Sequence, residues 1–250
     1  MLLNSIYLLQ RMGTYDYSRA IAKAGLEIRA IKLSPDKPFQ WASGFFMPIY
    51  NDNRMFLNSY ENRQLIARAF SEILGTKRIH FTGIAGTSTA GIPHAEALAD
   101  RFKCSMIYVR DKPKDHGLRN QIEGIDAESH LSGSTYPLIE DLISTGGSSV
   151  SAVQAIRDAN GSCFDCLSIF NYGFQEAVEM FQGKRAYDKE KTKKLSSPCN
   201  VHSILDYHTL LEVAEETGYV NAAQMKMLKE WRADPFKWGE NHGFPKVEKK

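Results

Sequence analysis

Apolar side chains along this chain recur at two spacings, one typical of helices and one typical of buried strands. Positions three or four residues apart predict helices at 14–31, 58–74, 93–102, 150–160, 175–181, 206–217 and 222–232. Short apolar runs predict strands at 79–83, 105–110, 163–170 and 200–205, and one that starts at or just after Pro137, since proline cannot donate to a sheet ladder. Gly75 suits the C-terminal cap of the second helix. The alternation favours an α/β fold with a mostly parallel sheet and helices on both faces.

The strand after Pro137 leads into a segment rich in acids, hydroxyls and glycines. Positions 138–149 read Leu-Ile-Glu-Asp-Leu-Ile-Ser-Thr-Gly-Gly-Ser-Ser. The first N–H groups of a helix carry partial positive charge, so a turn of this composition can cradle a phosphate. Glu140 and Asp141 beside it suit a ligand that also carries hydroxyls or a bound metal. The alternative is an ordinary strand-to-helix turn; neither a Walker loop nor a G-x-G-x-x-G dinucleotide turn is present.

Two other loops follow predicted strands. Residues 84–91 are small apart from one isoleucine, and they form either a second phosphate cradle or a plain tight turn. Residues 110–121 are polar and basic, and they form either a functional loop or a solvated charged one. Ligands of parallel sheets bind beyond the C-terminal ends of the strands. The loops at 84–91, 110–121 and 140–148 are therefore expected to converge.

Composition excludes several classes of protein. The chain has 250 residues, 43% of them hydrophobic, and a net charge of +2, which gives no general electrostatic reason to bind nucleic acid or membranes. The apolar stretch at 1–9 is far shorter than the ~20 residues of a membrane helix, and a secretory leader is not expected. The 4 cysteines are too few for a disulfide scaffold. A strand would place Cys163 and Cys166 on opposite faces, so both are read as structural, and a cytoplasmic location is expected. The basic run at 184–194 is read as a solvated loop.

Three segments carry a resemblance to a known family. Residues 138–149 closely resemble the phosphoribosyl pyrophosphate (PRPP) binding motif of type I phosphoribosyltransferases, and their wording is similar to that of orotate phosphoribosyltransferases. Residues 41–54, with Trp-Ala-Ser-Gly and Pro-Ile-Tyr-x-Asp-Asn-Arg, are similar to the N-terminal hood of those enzymes, and 110–117 to their mobile catalytic loop. The chain departs from the pattern where Phe45-Phe46-Met47 replaces a basic residue and where Pro137 interrupts the apolar run.

The resemblance implies a type I phosphoribosyltransferase fold and an activity. We expect a single phosphoribosyltransferase domain over 1–250, with a hood formed mainly by about 14–56 and the C-terminal helices. The implied reaction is Mg²⁺-dependent transfer of the phosphoribosyl group of PRPP to orotate, giving orotidine 5′-monophosphate and pyrophosphate in pyrimidine biosynthesis. A homodimer with shared active sites is implied too. The alternatives are a phosphoribosyltransferase for a purine or uracil, and a non-catalytic PRPP-binding regulator, for which no helix-turn-helix is evident.

The resemblance also assigns roles to individual residues. Catalysis is assigned to Lys114, His116 and Asp141, with no protein metal ligands because the substrate itself holds most of the Mg²⁺. Ser144 is expected to touch orotate as well as PRPP. The residues expected to bind PRPP are Arg110, Lys114, His116, Glu140, Asp141, Leu142, Ile143, Ser144, Thr145, Gly146, Gly147 and Ser148.

Overall fold

The computed structural model of the chain describes residues 15–111, 121–126, 130–188 and 190–247. Its strands are β1 (Ile31–Leu33), β2 (Phe39–Gln40), β3 (Phe46–Met47), β4 (Ile49–Asn51), β5 (Gly83–Thr87), β6 (Ser105–Val109), β7 (Ile122–Glu123), β8 (Leu138–Ile143), β9 (Asp165–Asn171) and β10 (Asn200–Asp206). Its helices are α1 (Tyr17–Glu27), α2 (Tyr60–Thr76), α3 (Ile92–Phe102), α4 (Gly147–Asp158), α5 (Gln175–Phe181), α6 (Tyr207–Glu216), α7 (Ala222–Ala233) and α8 (Pro235–Asn241).

A six-stranded sheet in the order β10-β9-β8-β5-β6-β7 forms the centre of the molecule. Neighbouring strands run parallel except for β7, which is antiparallel to β6. Strand β8 begins directly after Pro137, as predicted, and the carbonyl of Pro137 accepts a hydrogen bond from the Ala85 N–H at 3.1 Å. The predicted mostly parallel sheet is confirmed.

Hydrophobic side chains cover both faces of this sheet. Consecutive strand residues point to opposite faces, and accordingly Ile139 enters one buried cluster while Leu138 enters the other. The first cluster includes Leu98 of α3 together with residues of α1, α2, α6 and α7. The second includes Val153 of α4 and Phe181 of α5. Helices α3 and α4 therefore lie on opposite faces, a placement that decides where the loops in front of them meet.

A small layer of strands and C-terminal helices sits at one end of the sheet. Strand β1 pairs with β4, and β2 with β3, both antiparallel. The rings of Phe45 and Phe236 meet with centroids 5.4 Å apart, and Trp231 Nε1 lies 3.1 Å from Met47 Sδ. This layer, the hood, thus joins the two ends of the described chain. The division of 1–250 as a single domain stays a prediction.

Several predicted boundaries are wrong. Residues 84–87, predicted to be loop, form most of β5, and the predicted strand at 79–83 contributes only Gly83. All five residues of β5 are buried, and small side chains suit this crowded position better than the apolar run just before it. Helix α2 continues through Gly75 to Thr76, so the glycine is not its cap. No element was predicted after the helix at 222–232, and the structure adds α8 there.

Cys163, Cys166 and Cys199 are buried in the core, although not in the predicted geometry. Cys163 precedes β9 rather than lying on it, and it shares one hydrophobic cluster with Cys166 and Cys199. The thiols of these three residues and of Cys104 are free. In the part of the chain that the structure describes, no helix has both the length and the apolar character needed to cross a bilayer.

Candidate active site

A crevice opens where β5 and β8 lie side by side. From β5 the sheet continues to β6 on one side, and from β8 to β9 on the other. Helices α3 and α4, which follow β5 and β8, leave toward opposite faces. A reversal of this kind is the point at which parallel sheets bind ligands. The C-terminal ends of β5, β6 and β8 lie at this edge, so the loops after β5 and β8 begin here together with the base of the loop after β6. The convergence of the rest of 110–121 stays a prediction.

Glu140 lies at the bottom of this crevice. Its side chain is held by two buried hydroxyls: Thr87 Oγ1 donates to Oε1 at 2.7 Å, and Ser149 Oγ donates to Oε2 at 2.8 Å. The residue is 6% exposed. Both Glu140 and Asp141 lie inside β8 and not in the loop where the sequence placed them, because the strand continues to Ile143.

Asp141 meets the hood, and its carboxyl group is close enough to that of Glu140 to share a hydrogen bond. Its side chain is only partly buried, and its carbonyl oxygen accepts a hydrogen bond from Asn53 Nδ2 at 2.6 Å. The Arg54 guanidinium, paired with Asp52 at 2.6 Å, is close enough to lower the pKa of Asp141. Asn53 Oδ1 and both amide atoms of Asn51 are buried without a partner among the described residues. The hood thus brings the Arg54 cation and the amide of Asn53 beside Asp141.

Burial disfavours negative charge on this pair. It raises the pKa of Glu140, and the neighbouring charge of Asp141 raises it further. Burial also raises the pKa of Asp141, against the opposing effect of its hydrogen bonds and of Arg54. A ligand that brings positive charge or hydroxyl donors would relieve this cost. The electrostatics therefore favour a sugar or cationic group at Asp141 over a bare phosphate.

The turn after β8 has the features of an anion site. Gly146 has a left-handed φ of 86°, and a Cβ there would lie 3.2 Å from the Cβ of Ala177, so the turn requires glycine. Among the described residues no side chain caps the first turn of α4, which leaves its N–H groups available. Thr145 and Ser148 are exposed and Ser144 is partly buried.

The two apolar residues of the predicted set have core positions. The side chain of Ile143 is buried in the second cluster, and its carbonyl accepts a hydrogen bond from the Tyr172 N–H at 3.0 Å. Leu142 packs against the first cluster. Any contact of Ile143 with a ligand would therefore involve its main chain.

Only the base of the predicted catalytic loop can be described. The N–H of Arg110 donates to the Gln121 carbonyl at 2.9 Å, and Gln121 Nε2 donates to the Arg110 carbonyl at 2.9 Å. Arg110 Nη1 is also 3.4 Å from Glu123 Oε1. These contacts fix both ends of the loop at the edge of the crevice. Lys114 and His116 lie outside the described residues, and their roles stay predictions.

Sequence reasoning missed several residues at this site. Thr87 was placed in a loop, and Asn53 was seen only as part of a hood motif. The departure at Phe45 acquires a physical context, because Lys246 Nζ lies 4.7 Å from the centroid of its ring. A cation from the C-terminal tail thus lies against the apolar hood residue. The spacing of residues in the sequence contains no signal for this contact.

Comparison with known proteins identifies the family of the chain. The family described as phosphoribosyl transferase domain matches residues 55–202. The orotate phosphoribosyltransferase of Listeria monocytogenes is 40% identical over 222 residues, which cover 89% of this chain and 98% of the relative. The orotate phosphoribosyltransferase of Bacillus pumilus is 43% identical over 218 residues, covering 86% and 93%.

Solved structures share the fold at lower identity. Orotate phosphoribosyltransferase from Aeropyrum pernix aligns with a TM-score of 0.61 at 21% identity, covering 80% of this chain and 99% of that one. The enzyme from Mycobacterium tuberculosis in complex with PRPP aligns with a TM-score of 0.54 at 18% identity, covering 78% and 98%. These structures support the fold, and the sequence relatives support the finer grouping. The chain belongs to the phosphoribosyltransferase family and, within it, to the orotate phosphoribosyltransferases.

Proposed function

We propose that the chain transfers the phosphoribosyl group of PRPP to orotate with the help of Mg²⁺, giving orotidine 5′-monophosphate and pyrophosphate. The bond from the anomeric carbon to pyrophosphate breaks, and a bond from that carbon to a ring nitrogen of orotate forms. The observation that supports this is the partly exposed Asp141 beside the uncapped start of α4, at the crevice between β5 and β8. An acid next to an anion cradle fits a phosphorylated sugar.

The sugar phosphate is proposed to bind across the end of β8. The 5′-phosphate accepts hydrogen bonds from main-chain N–H groups and hydroxyls of the turn at 144–148. Asp141 accepts hydrogen bonds from the ribose hydroxyls and stabilises the positive charge that develops on the sugar as pyrophosphate leaves. Ser144 is proposed to contact orotate. Because orotate attacks directly, the work of the chain is positioning and electrostatic stabilisation.

The leaving group is proposed to be neutralised by the loop that starts at Arg110. Lys114 and His116 would place cations over the departing pyrophosphate and exclude water from it. The loop is proposed to enter the site of a neighbouring subunit, which makes the enzyme a homodimer with shared active sites. The cytoplasmic location also stays a prediction.

Mg²⁺ fits the groups available at the crevice. This cation prefers oxygen ligands and commonly keeps few protein ligands when substrate phosphates are present. Asp141 offers a partly exposed carboxylate near the C-terminal end of β8. The described residues contain no group of three or more His, Cys, Asp or Glu side chains that could hold a metal ion. Bound Mg²⁺ would neutralise charge on the pyrophosphate. Substrate oxygens would supply most of its ligands.

The direct test follows the absorbance of orotate with purified protein, PRPP and Mg²⁺. We expect loss of orotate absorbance that requires both PRPP and Mg²⁺. Parallel assays with uracil, hypoxanthine and adenine are expected to show little turnover. Consumption of another base, or PRPP binding without pyrophosphate release, would overturn the assignment.

Lys114→Ala tests the catalytic loop. We expect kcat to fall by about 100-fold or more, because a cation on the leaving group acts mainly in the transition state. Circular dichroism and thermal unfolding check that the fold survives. A near-normal kcat would remove Lys114 from the mechanism.

Asp141→Asn tests the ribose contact. We expect KM for PRPP to rise about 10-fold or more, as for the loss of a hydrogen bond to a charged group.

Mixing the Asp141→Asn variant with Lys114→Ala tests the shared site. Hybrid dimers with one intact site should recover about a quarter of wild-type activity. Unchanged kinetics of Asp141→Asn, or no recovery in a mixture shown to exchange subunits, would contradict the respective role.

A further inference from the structure

The hood carries an arginine whose guanidinium has donors to spare. Arg54 Nε donates to Asp52 Oδ1 at 2.6 Å, and Arg54 Nη2 donates to Asp52 Oδ2 at 2.8 Å. A guanidinium has five N–H donors, and this pairing uses two of them. Arg54 Nη1 has no hydrogen-bond partner among the described residues, and 65% of the side chain is exposed. The edge of the guanidinium that Asp52 does not occupy can therefore bind a second anion.

The position of Arg54 is fixed by the two residues before it. Asp52 accepts a hydrogen bond from the Arg54 N–H at 3.3 Å and thereby caps a short 3-10 helix (Asn53–Asn58). Asn53 is 1% exposed, and its Nδ2 donates to the Asp141 carbonyl oxygen at 2.6 Å. The hood is thus attached to β8 at Asp141, and Arg54 is the next residue along the chain. Burial raises the pKa of Asp141, and the guanidinium is close enough to oppose that effect.

A second residue of the hood, Tyr50, also lies near the ends of the central strands. Burial raises the pKa of Tyr172, which follows β9, and the neighbouring phenol of Tyr50 raises it further. The N–H of Tyr172 donates to the carbonyl of Ile143, the last residue of β8, at 3.0 Å. Tyr50 is 38% exposed, and Lys32 Nζ lies 5.8 Å from the centroid of its ring. This side of the hood therefore offers an exposed aromatic ring and cations beside the crevice, a combination that suits a flat anionic ring.

The chemistry of orotate limits where its carboxylate can bind. The carboxylate is attached to the ring carbon next to the nitrogen that forms the bond to the sugar. A group that binds the carboxylate must therefore lie close to the anomeric carbon, where Asp141 is proposed to act. The carboxylate and Asp141 would repel each other at a site whose burial already disfavours negative charge. A cation beside Asp141 offsets this repulsion.

We propose that Arg54 recognises the carboxylate of orotate through the free edge of the guanidinium that Asp52 holds in place. The assignment rests on the proposed function and names the group by which its site distinguishes orotate from uracil, which lacks the carboxylate. Parallel N–H donors of a guanidinium match the two oxygens of a carboxylate, so the contact supplies selectivity as well as affinity. Arg54 contacts the substrate, and Asp52 is a positioning residue.

The test measures the contribution of one carboxylate with and without Arg54. Orotidine 5′-monophosphate and uridine 5′-monophosphate differ only in that carboxylate, so the ratio of their Kd values reports on its recognition. Both nucleotides share the phosphate and ribose contacts, and effects of a substitution on those contacts cancel in the ratio. The Kd values are measured by calorimetry for the wild type, Arg54→Gln, Arg54→Lys and two control variants.

The controls remove cations that the proposal does not place at the carboxylate. Arg19→Gln removes an exposed arginine that is also paired with acids, Glu216 and, at 3.6 Å, Glu212, but between α1 and α6. Lys32→Gln removes the cation beside Tyr50. Arg19 controls for the loss of an arginine ion pair, and Lys32 controls for the loss of positive charge from the hood.

We expect the wild type to bind orotidine 5′-monophosphate about 10-fold or more tighter than uridine 5′-monophosphate, as for hydrogen bonds between charged groups. The ratio should fall to about threefold or less in Arg54→Gln and lie in between in Arg54→Lys, since lysine keeps the charge but not the fork of donors. Both controls should keep the wild-type ratio. In turnover assays, Arg54→Gln should raise KM for orotate about fivefold or more while KM for PRPP changes about twofold or less.

Three results would overturn the inference. The first is a ratio near one in the wild type, and the second is a wild-type ratio in Arg54→Gln. The third is a loss of the ratio in Lys32→Gln as large as in Arg54→Gln, which would indicate a general effect of charge in the hood. Each leaves the proposed function intact if the wild type turns over orotate. A wild type that turns over uracil in place of orotate would overturn the proposed function, while the Kd values still decide the role of Arg54.

Discussion

His94 should make the fold sensitive to acid. It is in the first turn of α3, directly after the loop that follows β5, and it is 4% exposed. Burial lowers the pKa of its imidazole from 6.5 to about 4, because the charged form loses its hydration. A histidine whose pKa is lowered on folding gives full stability above its unfolded pKa. That stability is lost as the pH falls from about 6.5 toward 4.

The size of the effect follows from the shift. A difference of about 2.5 pKa units corresponds to roughly 3 kcal/mol over the whole range. Between pH 7.5 and pH 5 the unfolded imidazole becomes charged while the folded one stays neutral. Over this range, linkage lowers the free energy of unfolding by about 2 kcal/mol. Glu140 and Asp141, whose pKa values are raised, act in the opposite direction over part of this range. Their contribution is the same in a wild type and a His94 variant, and it cancels in the difference.

The assay is urea unfolding of wild type and His94→Gln at several pH values from 7.5 to 5. We expect the free energy of unfolding of the wild type to fall by about 2 kcal/mol more than that of the variant across this range. His80→Gln is the control, because His80 is also an imidazole but is exposed. Parallel pH profiles for wild type and His94→Gln, at equal m values, would refute the reasoning.

Two further predictions concern the crevice. Because burial raises the pKa of Glu140, the stability associated with its protonated form is present at low pH and is lost as the pH rises above its ordinary value of 4.5. Glu140→Gln should thus gain stability relative to wild type from pH 5 to pH 8 in urea titrations; a constant difference would contradict this. Gly91→Ala should lower the free energy of unfolding by about 1–3 kcal/mol, since its Cβ would lie 2.7 Å from the Thr87 N atom. An unchanged melting temperature would show that the loop has room to move.

Periodic hydrophobic patterns predicted the elements whose burial is one-sided. Helices α6 and α7 were predicted at 206–217 and 222–232, each within one residue of the observed ends. Strand β10 was predicted at 200–205 and extends one residue further. The two helices bury one face against the core and leave the other in water, so their apolar residues recur with the helical period. The reliable predictions come from this regularity.

The same reasoning failed for β5, where packing from all sides removes the pattern. The strand is Gly-Ile-Ala-Gly-Thr, and a Cβ on Gly86 would lie 3.0 Å from the Cβ of Ala95 in α3. Small residues are needed here because helix α3 approaches the strand closely. Two of the five residues are glycines, which are also typical of turns, so composition pointed to a loop. Only the position of the strand between β6 and β8 distinguishes the two.

The acid pair shows how an observed strand adds to the interpretation of two adjacent acids. Two adjacent carboxylates in a loop would both be free to face a ligand, which is how the sequence was interpreted. On the strand the two carboxyl groups are close enough to share a hydrogen bond, and that of Glu140 turns toward α4, where it meets Ser149. That orientation is acceptable for Glu140 because Thr87 and Ser149, 53 and 9 residues away along the chain, supply hydroxyl donors. Since burial without such donors would cost several kcal/mol, the inward acid and its two donors must be considered as one unit. Asp141 is less buried than Glu140 and therefore has the more accessible carboxyl group of the two.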